Sequence, residues 1–187
     1  LAIVLKNIRD NDMPTSISRA AQYRAKEGIV VGEATPYGKL IVDVDMPLKS
    51  GRKFMDAVAS PAAALYSAAK SSRPFRALLR QQLARHACSL SSPWRIAIYF
   101  DGISPRGPLA RGKDYRGVDA FYWSFLELDT YLQEEDAWFC VSAARVAMVR
   151  SLAGGLSHYA SIILQQFFFN DAGFHFTNQG VTLDISE

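Results

Sequence analysis

The sequence predicts a mixed α/β (α+β) chain in two parts, a mostly helical N-terminal region and a C-terminal region built on a sheet. Hydrophobic residues recur at helical spacing through residues 61–87, and three strand-like apolar runs follow from residue 94. The polar segment SLSSP at 89–93 separates the two patterns. We therefore predict a boundary near residue 90, which divides the chain into residues 1–90 and 91–187.

The composition is that of a chain able to build a hydrophobic core. Of its 187 residues, 49% are hydrophobic and 21% are charged, which argues against disorder. No apolar run reaches the roughly 18 residues that span a bilayer, so no membrane partner is expected. The N-terminus lacks an initiator Met and the features of a signal peptide, and we expect a fragment of a longer intracellular protein. Cys88 and Cys140 are isolated, and Cys140 is expected to be a buried, reduced thiol.

The N-terminal region is predicted to contain helices and one hairpin. Residues 14–27, PTSISRAAQYRAKE, are predicted to form a short helix. The segment at 28–48 is predicted to be a hairpin that turns at TPYG, with Asp43 and Asp45 on its solvent face. A helix should follow at residues 61–70, where Pro61 suits the first turn.

A second helix is predicted at residues 74–87, PFRALLRQQLARHA. Its apolar residues are spaced to form one stripe, made of Phe75, Leu78, Leu79 and Leu83. Arg76 and Arg80 lie on the opposite side of this helix and should therefore face outward.

The C-terminal region has the order strand, strand, strand, helix, strand. The three strands are predicted at 94–100, 118–128 and 137–144, and short consecutive strands usually pair as antiparallel neighbours. The helix that begins after Gly154 is apolar almost all round, so it should be buried against the sheet. FHFTNQGVTLDI, at 174–185, has the pattern of a further hairpin.

This order of elements is that of the beginning of an RNase H-like fold, although many other α/β folds share it. In RNase H-like nucleases an acid on the first strand and a second acid hold two divalent metal ions for phosphoryl transfer. Asp101, at the end of the first strand, is the candidate catalytic acid and ligand for Mg²⁺ or Mn²⁺. The alternative is a turn at Asp101-Gly102, but the connection to Gly117 is much longer than a tight turn requires.

Charge is distributed unevenly along the chain. Residues 70–116 contain ten basic residues and two acids, a net charge of +8, whereas residues 117–187 carry a net charge of −7. A block of this kind fits a DNA partner, and the alternative is a solvated helix face followed by a basic loop. The candidate nucleic-acid contacts are Arg76, Arg80, Arg106, Arg111, Lys113 and Arg116.

The segment IYFDGISPRGPLARGKDYRGVDAFYWSFLELDTYLQEEDAWFCV, at 98–141, resembles a multi-copy, uncharacterised protein family of dinoflagellate genomes. Members of that family carry Tyr-x-Asp, a loop with Pro-Leu, then Tyr-Trp-Ser-Phe-Leu and Glu-x-Ala-Trp-Phe. PTSISRAAQYRAKEG and TPYGKLI are also similar to it. The family is in turn distantly similar to Plavaka-type DDE transposases, which have an RNase H-like core.

This resemblance implies that the intact parent is a nuclear, transposon-derived protein that cleaves and transfers DNA strands with bound metal. Asp101 would be the first metal ligand. GVTLDISE, at 180–187, resembles the hairpin that precedes the second acid, so the second and third acids are expected beyond Glu187 and this chain is expected to be inactive alone. The alternative is a domesticated, non-catalytic nucleic-acid-binding or scaffold domain.

Overall fold

The computed structural model describes residues 34–103, 117–168 and 175–186, and it combines helices with small antiparallel sheets. The mixed helix and sheet composition confirms the predicted α+β class. In chain order, the elements are β1 (Ala34–Thr35), β2 (Gly38–Lys39), β3 (Ile41–Pro47), β4 (Lys53–Ala59), α1 (Pro61–Ser71), α2 (Arg73–Arg85), β5 (Ile96–Ile103), β6 (Val118–Phe125), two 3-10 helices (Leu126–Gln133 and Glu135–Ala137), β7 (Phe139–Arg145), α3 (Val146–Ser151), α4 (Gly155–Phe168) and α5 (Phe176–Gln179).

The TPYG turn forms as predicted, but the long strand that follows it has a different partner. β1 and β2 pair across the turn, whereas β3 pairs with β4 in a hairpin of seven residues a side. The sequence did not indicate β4, because one of its inward positions is an acid, Asp56, which interrupts the apolar alternation between Phe54 and Val58. Asp43 and Asp45 are exposed, as predicted.

Helices α1 and α2 occupy nearly the predicted positions. The side chain of Ser72 caps α2 by accepting a hydrogen bond from the backbone N–H of Phe75 at 3.3 Å. The buried side chains of α2 are Phe75, Leu79 and Gln82, so the apolar stripe is rotated relative to the predicted one. This rotation leaves Arg76 and Arg80 half-buried instead of pointing outward.

The three predicted C-terminal strands form one antiparallel sheet in the order β5-β6-β7, and α4 covers one face of it. Trp123 of β6 is buried on this face and stacks on Phe139 at 4.9 Å between ring centroids. The ring of Phe167, on α4, meets Trp123 edge to face at 5.6 Å. The predicted packing of this helix on the three-stranded sheet is therefore confirmed, but the helix is buried on one side only, since Leu156, Leu164 and Phe168 are exposed.

The predicted hairpin at 174–185 is wrong for the part of it that the structure describes. Residues 176–179 form the short helix α5, and residues 180–186 contain no strand. Phe176 is buried against Trp123, with ring centroids 5.6 Å apart. The tail after Gly180 finds side-chain partners for its backbone: the N–H of Thr182 donates to the Tyr37 hydroxyl at 2.6 Å. Tertiary contacts thus replace the hydrogen bonds of a strand pair.

The second face of the sheet, which we call the open face, is not covered by a described helix. Side chains on this face include Tyr99, Asp101, Tyr122 and Cys140, which the strand registers place in neighbouring positions. Cys140 is exposed, so the prediction of a buried thiol is wrong; the residue lies in an apolar run but on the outward side of β7. Within the described ranges no helix is long and apolar enough to cross a membrane.

One core contains buried residues from both sides of the predicted boundary near residue 90. A series of side-chain hydrogen bonds also joins residues on the two sides of that boundary. The Ser142 hydroxyl, on β7, donates to Asp56 Oδ2 on β4 at 2.9 Å. Because a hydroxyl has one proton to donate, Ser142 accepts the proton of the Tyr159 hydroxyl, 2.5 Å away on α4. Burial raises the pKa of Tyr159 to about 12 and that of Asp56 above its ordinary value.

Replacing Ser142 with Ala should destabilise the protein by about 1–3 kcal/mol, because the buried Tyr159 hydroxyl loses its partner. The free energy of unfolding, measured by urea titration, tests this. Ser142→Ala combined with Tyr159→Phe should cost less than the sum of the two single changes. Ser157→Ala, an exposed position on α4, is the matched control, and an equal loss there would contradict the prediction.

Candidate nucleic-acid interface

Asp101 lies near the end of β5, opposite Ala120 of β6, and its side chain is exposed on the open face. Strand pairing, not a turn, fixes its backbone, since β5 continues to Ile103. Tyr122 lies on the same face, and its pKa is raised by partial burial and, to a smaller degree, by nearby negative charges that include Asp101. The side chain of Asp101 is therefore held by a paired strand and open to a ligand.

Asp101 has no second acid beside it on the three strands. Their one other acid is Asp119, which lies opposite Gly102 and so projects from the helix-covered face. Among the described residues, no group of three or more His, Cys, Asp or Glu side chains could hold a metal ion. A two-metal centre needs carboxylates on the same side, so the described residues do not complete such a centre around Asp101.

The exposed end of α1 and one side of the first two turns of α2 form a positively charged surface. No acid occurs in the sequence between Asp56 and Asp101, so neither helix carries a negative side chain. We call this the cationic surface and define it by Lys70, Arg73, Arg76 and Arg80. Arg85 lies at the end of α2, at least about 120° round the helix from these three arginines. Excess positive charge on adjacent helices is the kind of field that attracts phosphate groups.

Two of the predicted contact residues also hold the fold together. Arg76 donates from Nη1 to the carbonyl oxygens of Ala69 and Lys70, at 2.9 and 2.8 Å, and so caps the C-terminus of α1. Arg80 donates from Nη1 to the carbonyl of Ile185 at 2.9 Å, which anchors the C-terminal tail. A guanidinium group has five N–H donors, so these bonds leave others with which to contact a phosphate.

A cavity of about 340 Å³ lies between the cationic surface and the C-terminal tail. Lys70, Arg76 and Asp184 supply its charged lining. The pKa of Asp184 is lowered by hydrogen bonds from Ser186 and, less strongly, by the charge of Arg76. Asp184 therefore offsets part of the positive charge at this end of the surface, while Arg73 stays exposed.

The remaining predicted contacts cannot be placed on this surface. Arg106, Arg111, Lys113 and Arg116 lie outside the described residues. Their role as phosphate contacts stays a prediction, as does the role of Asp101.

Sequence reasoning did not single out Asp119 and Arg150, which line a second cavity with Phe100 and Lys49. Burial raises the pKa of Asp119, and the positive charge of Arg150 opposes that rise. The packing of α3 beside β6 brings the two charges together. Because Asp119 and Arg150 are far apart in the sequence, no local sequence pattern indicates that they are neighbours.

Comparison of the chain with protein-family models, with curated proteins and with solved structures finds no match.

Replacing Arg80 with Gln should loosen the C-terminal tail, because the carbonyl of Ile185 loses its donor. The amide of Thr182, which is tied to Tyr37 in the same tail, should exchange with deuterium faster than in the unaltered chain. Arg73→Gln removes the same charge from an exposed position of the same helix and is the matched control. Equal exchange rates at Thr182 in both variants would contradict the structural role of Arg80.

Proposed function

We propose that this chain is the DNA-binding part of a transposon-derived, transposase-like protein. The observation that carries the proposal is the acid-free cationic surface of α1 and α2. Its cations come from two helices that pack against each other, and cations of this kind can contact the phosphates of a duplex. The resemblance to DDE transposases and the order of three antiparallel strands followed by a helix support the same conclusion.

The electrostatics favour a polyanion over a single anionic partner. The two ion pairs found in the described residues are Lys53 with Asp45 and Arg95 with Glu127, and neither involves the cationic surface. Of the acids at 117–187, Asp184 lies beside this surface and offsets part of its charge. Binding to DNA would release counterions and so depend steeply on salt.

Metal-dependent strand cleavage belongs, in this proposal, to the intact parent protein. Asp101 is held on a paired strand and exposed on a face without a covering helix, which suits a first metal ligand. The strands of the sheet place no second acid on the face of Asp101, and the described residues contain no group of three possible ligands, so further acids would have to come from elsewhere in the parent.

A second candidate is a non-catalytic nucleic-acid-binding or scaffold domain that has kept the fold. The isolation of Asp101 from the other acid of the sheet favours this alternative. Both candidates use the cationic surface, and they differ only in what Asp101 does.

Replacing Lys70 and Arg73 together with Gln should weaken binding to duplex DNA and reduce its salt dependence. Each lost phosphate contact lowers the slope of log affinity against log salt by about 1, so the pair should lower it by about 2. Fluorescence anisotropy over a series of salt concentrations measures the slope. Both residues are exposed, so the fold should be unaffected.

The control for this experiment is the joint replacement of Arg52 and Arg145 with Gln. These two residues are also exposed and lie outside α1 and α2, so the net charge falls equally. An equal effect in both double variants would show that binding follows net charge alone and not the cationic surface. Affinity that does not change with salt would contradict the proposal.

Asp101→Asn separates the two candidates in the full-length protein that contains this chain. If Asp101 is a metal ligand, Mg²⁺-dependent or Mn²⁺-dependent cleavage of DNA should be lost while DNA affinity is kept or raised, because one negative charge is removed. Asp43→Asn, at an exposed position of β3, is the matched control. Cleavage that survives Asp101→Asn would contradict the metal-ligand role, and a protein with no metal-dependent cleavage would favour the scaffold candidate.

A further inference from the structure

The outer edge of β5 is the least protected part of the three-stranded sheet. In the described residues β5 pairs only with β6, and every residue from Ile98 to Ile103 is exposed. The large apolar side chains among them are strongly exposed: Ile98 41%, Tyr99 52%, Phe100 37% and Ile103 49%. Edge strands are usually shielded by lysine, proline, a bulge or short length. β5 is eight residues long, contains no lysine or proline, and pairs with β6 without a register shift.

The backbone of this edge can accept another strand. The N–H of Leu126 donates to the carbonyl of Arg95 at 2.9 Å, which fixes the hydrogen-bond phase between β5 and β6. Since bonding alternates along an antiparallel strand, the even-numbered residues of β5 direct their N–H and C=O groups to the outer edge. These residues are Ile96, Ile98, Phe100 and Gly102.

We propose that the occupant of this edge is β5 of a second copy of the chain, paired antiparallel with Ile98 opposite Ile98. A twofold axis normal to the sheet relates two identical antiparallel strands and keeps both helix-covered faces on one side. Ile98 is an outward-bonding residue, so the two copies of Ile98 exchange hydrogen bonds at the axis. The result is a continuous sheet of six strands in which the β5 edges of both copies are paired.

Charge complementarity selects this register. With Ile98 at the axis, Asp101 of each copy lies directly opposite Arg95 of the other. Arg95 immediately precedes β5, and its bond from the N–H of Leu126 continues the pairing, so the alternation of side chains assigns it to the open face with Asp101. The Arg95 side chain is 74% exposed, and its Nε is held by Glu127 at 3.0 Å, which orients the guanidinium group. A shift of two residues in either direction would place Asp101 opposite Ala97 or Pro93, where it meets no charge.

The apolar side chains match in the same register. On the helix-covered face, Phe100 of each copy lies opposite Ile96 of the other, and the two copies of Ile98 meet between them. Pairing one strand edge buries a small area, so the dimer should be weak and dependent on concentration. This inference does not rest on the proposed DNA binding, which uses α1 and α2.

Sedimentation velocity over a wide range of protein concentration tests the dimer. The unaltered chain should dimerise as its concentration rises. Ile98→Lys should abolish the dimer, because two ammonium groups would meet at the axis. Asp101→Lys should raise the dissociation constant at least about fivefold, because two exposed ion pairs become repulsive contacts.

The controls place the same chemical changes away from β5. Met55→Lys alters an apolar residue of β4 that is 62% exposed, and Asp43→Lys alters an exposed acid of β3; neither should change the dissociation constant. Circular dichroism reports whether each variant is folded, and if Ile98→Lys unfolds the chain, Asp101→Lys alone decides. A chain that is monomeric at every concentration, or a dimer that Asp101→Lys leaves unchanged, would overturn the proposal.

Discussion

The burial of Trp123 is the interaction on which the arrangement of the sheet depends. Its indole ring is 1% exposed and contacts aromatic rings from three elements besides its own strand. These rings are Phe139 of β7, Phe167 of α4 and Phe176 of α5. Apolar area of this size is removed from water only when the helix lies across the sheet. The position of Trp123 therefore decides which face of the sheet α4 covers and which face stays open.

The separation of the two acids and the exposure of β5 both follow from this choice of face. Side chains alternate along a strand, so burying Trp123 and Phe121 of β6 puts Asp101 of β5 on the open face and Asp119 of β6 on the covered one. The two acids of the sheet are thereby separated, although they lie on neighbouring strands. α4 also leaves the outer half of β5 exposed, and this makes the edge available to another strand.

The cationic surface illustrates how one residue can serve both structure and binding. Arg76 and Arg80 use part of their hydrogen-bonding capacity on the backbone of α1 and of the tail. An arginine held in this way loses little further side-chain entropy when it meets a phosphate. DNA on α1 and α2 and a second copy on β5 would use different elements, whereas Asp101 is common to the proposed metal site and the proposed dimer.

The sequence by itself determined the positions of most elements. Periodicity and turn chemistry located α1, α2, α4 and the three strands of the sheet, because these signals depend only on neighbouring residues. It also determined the solvent-facing positions of Asp43 and Asp45.

The tertiary structure alone decided the rest. It paired β3 with β4, where the inward acid Asp56 is stabilised by a serine 86 residues away. It turned the segment at 176–179 into a short helix, in which Phe176 packs against Trp123 in the aromatic core. It left Cys140 exposed and rotated α2 so that Arg76 and Arg80 contact backbone carbonyls. In each case the deciding partner is remote in sequence, and local patterns carry no information about remote partners.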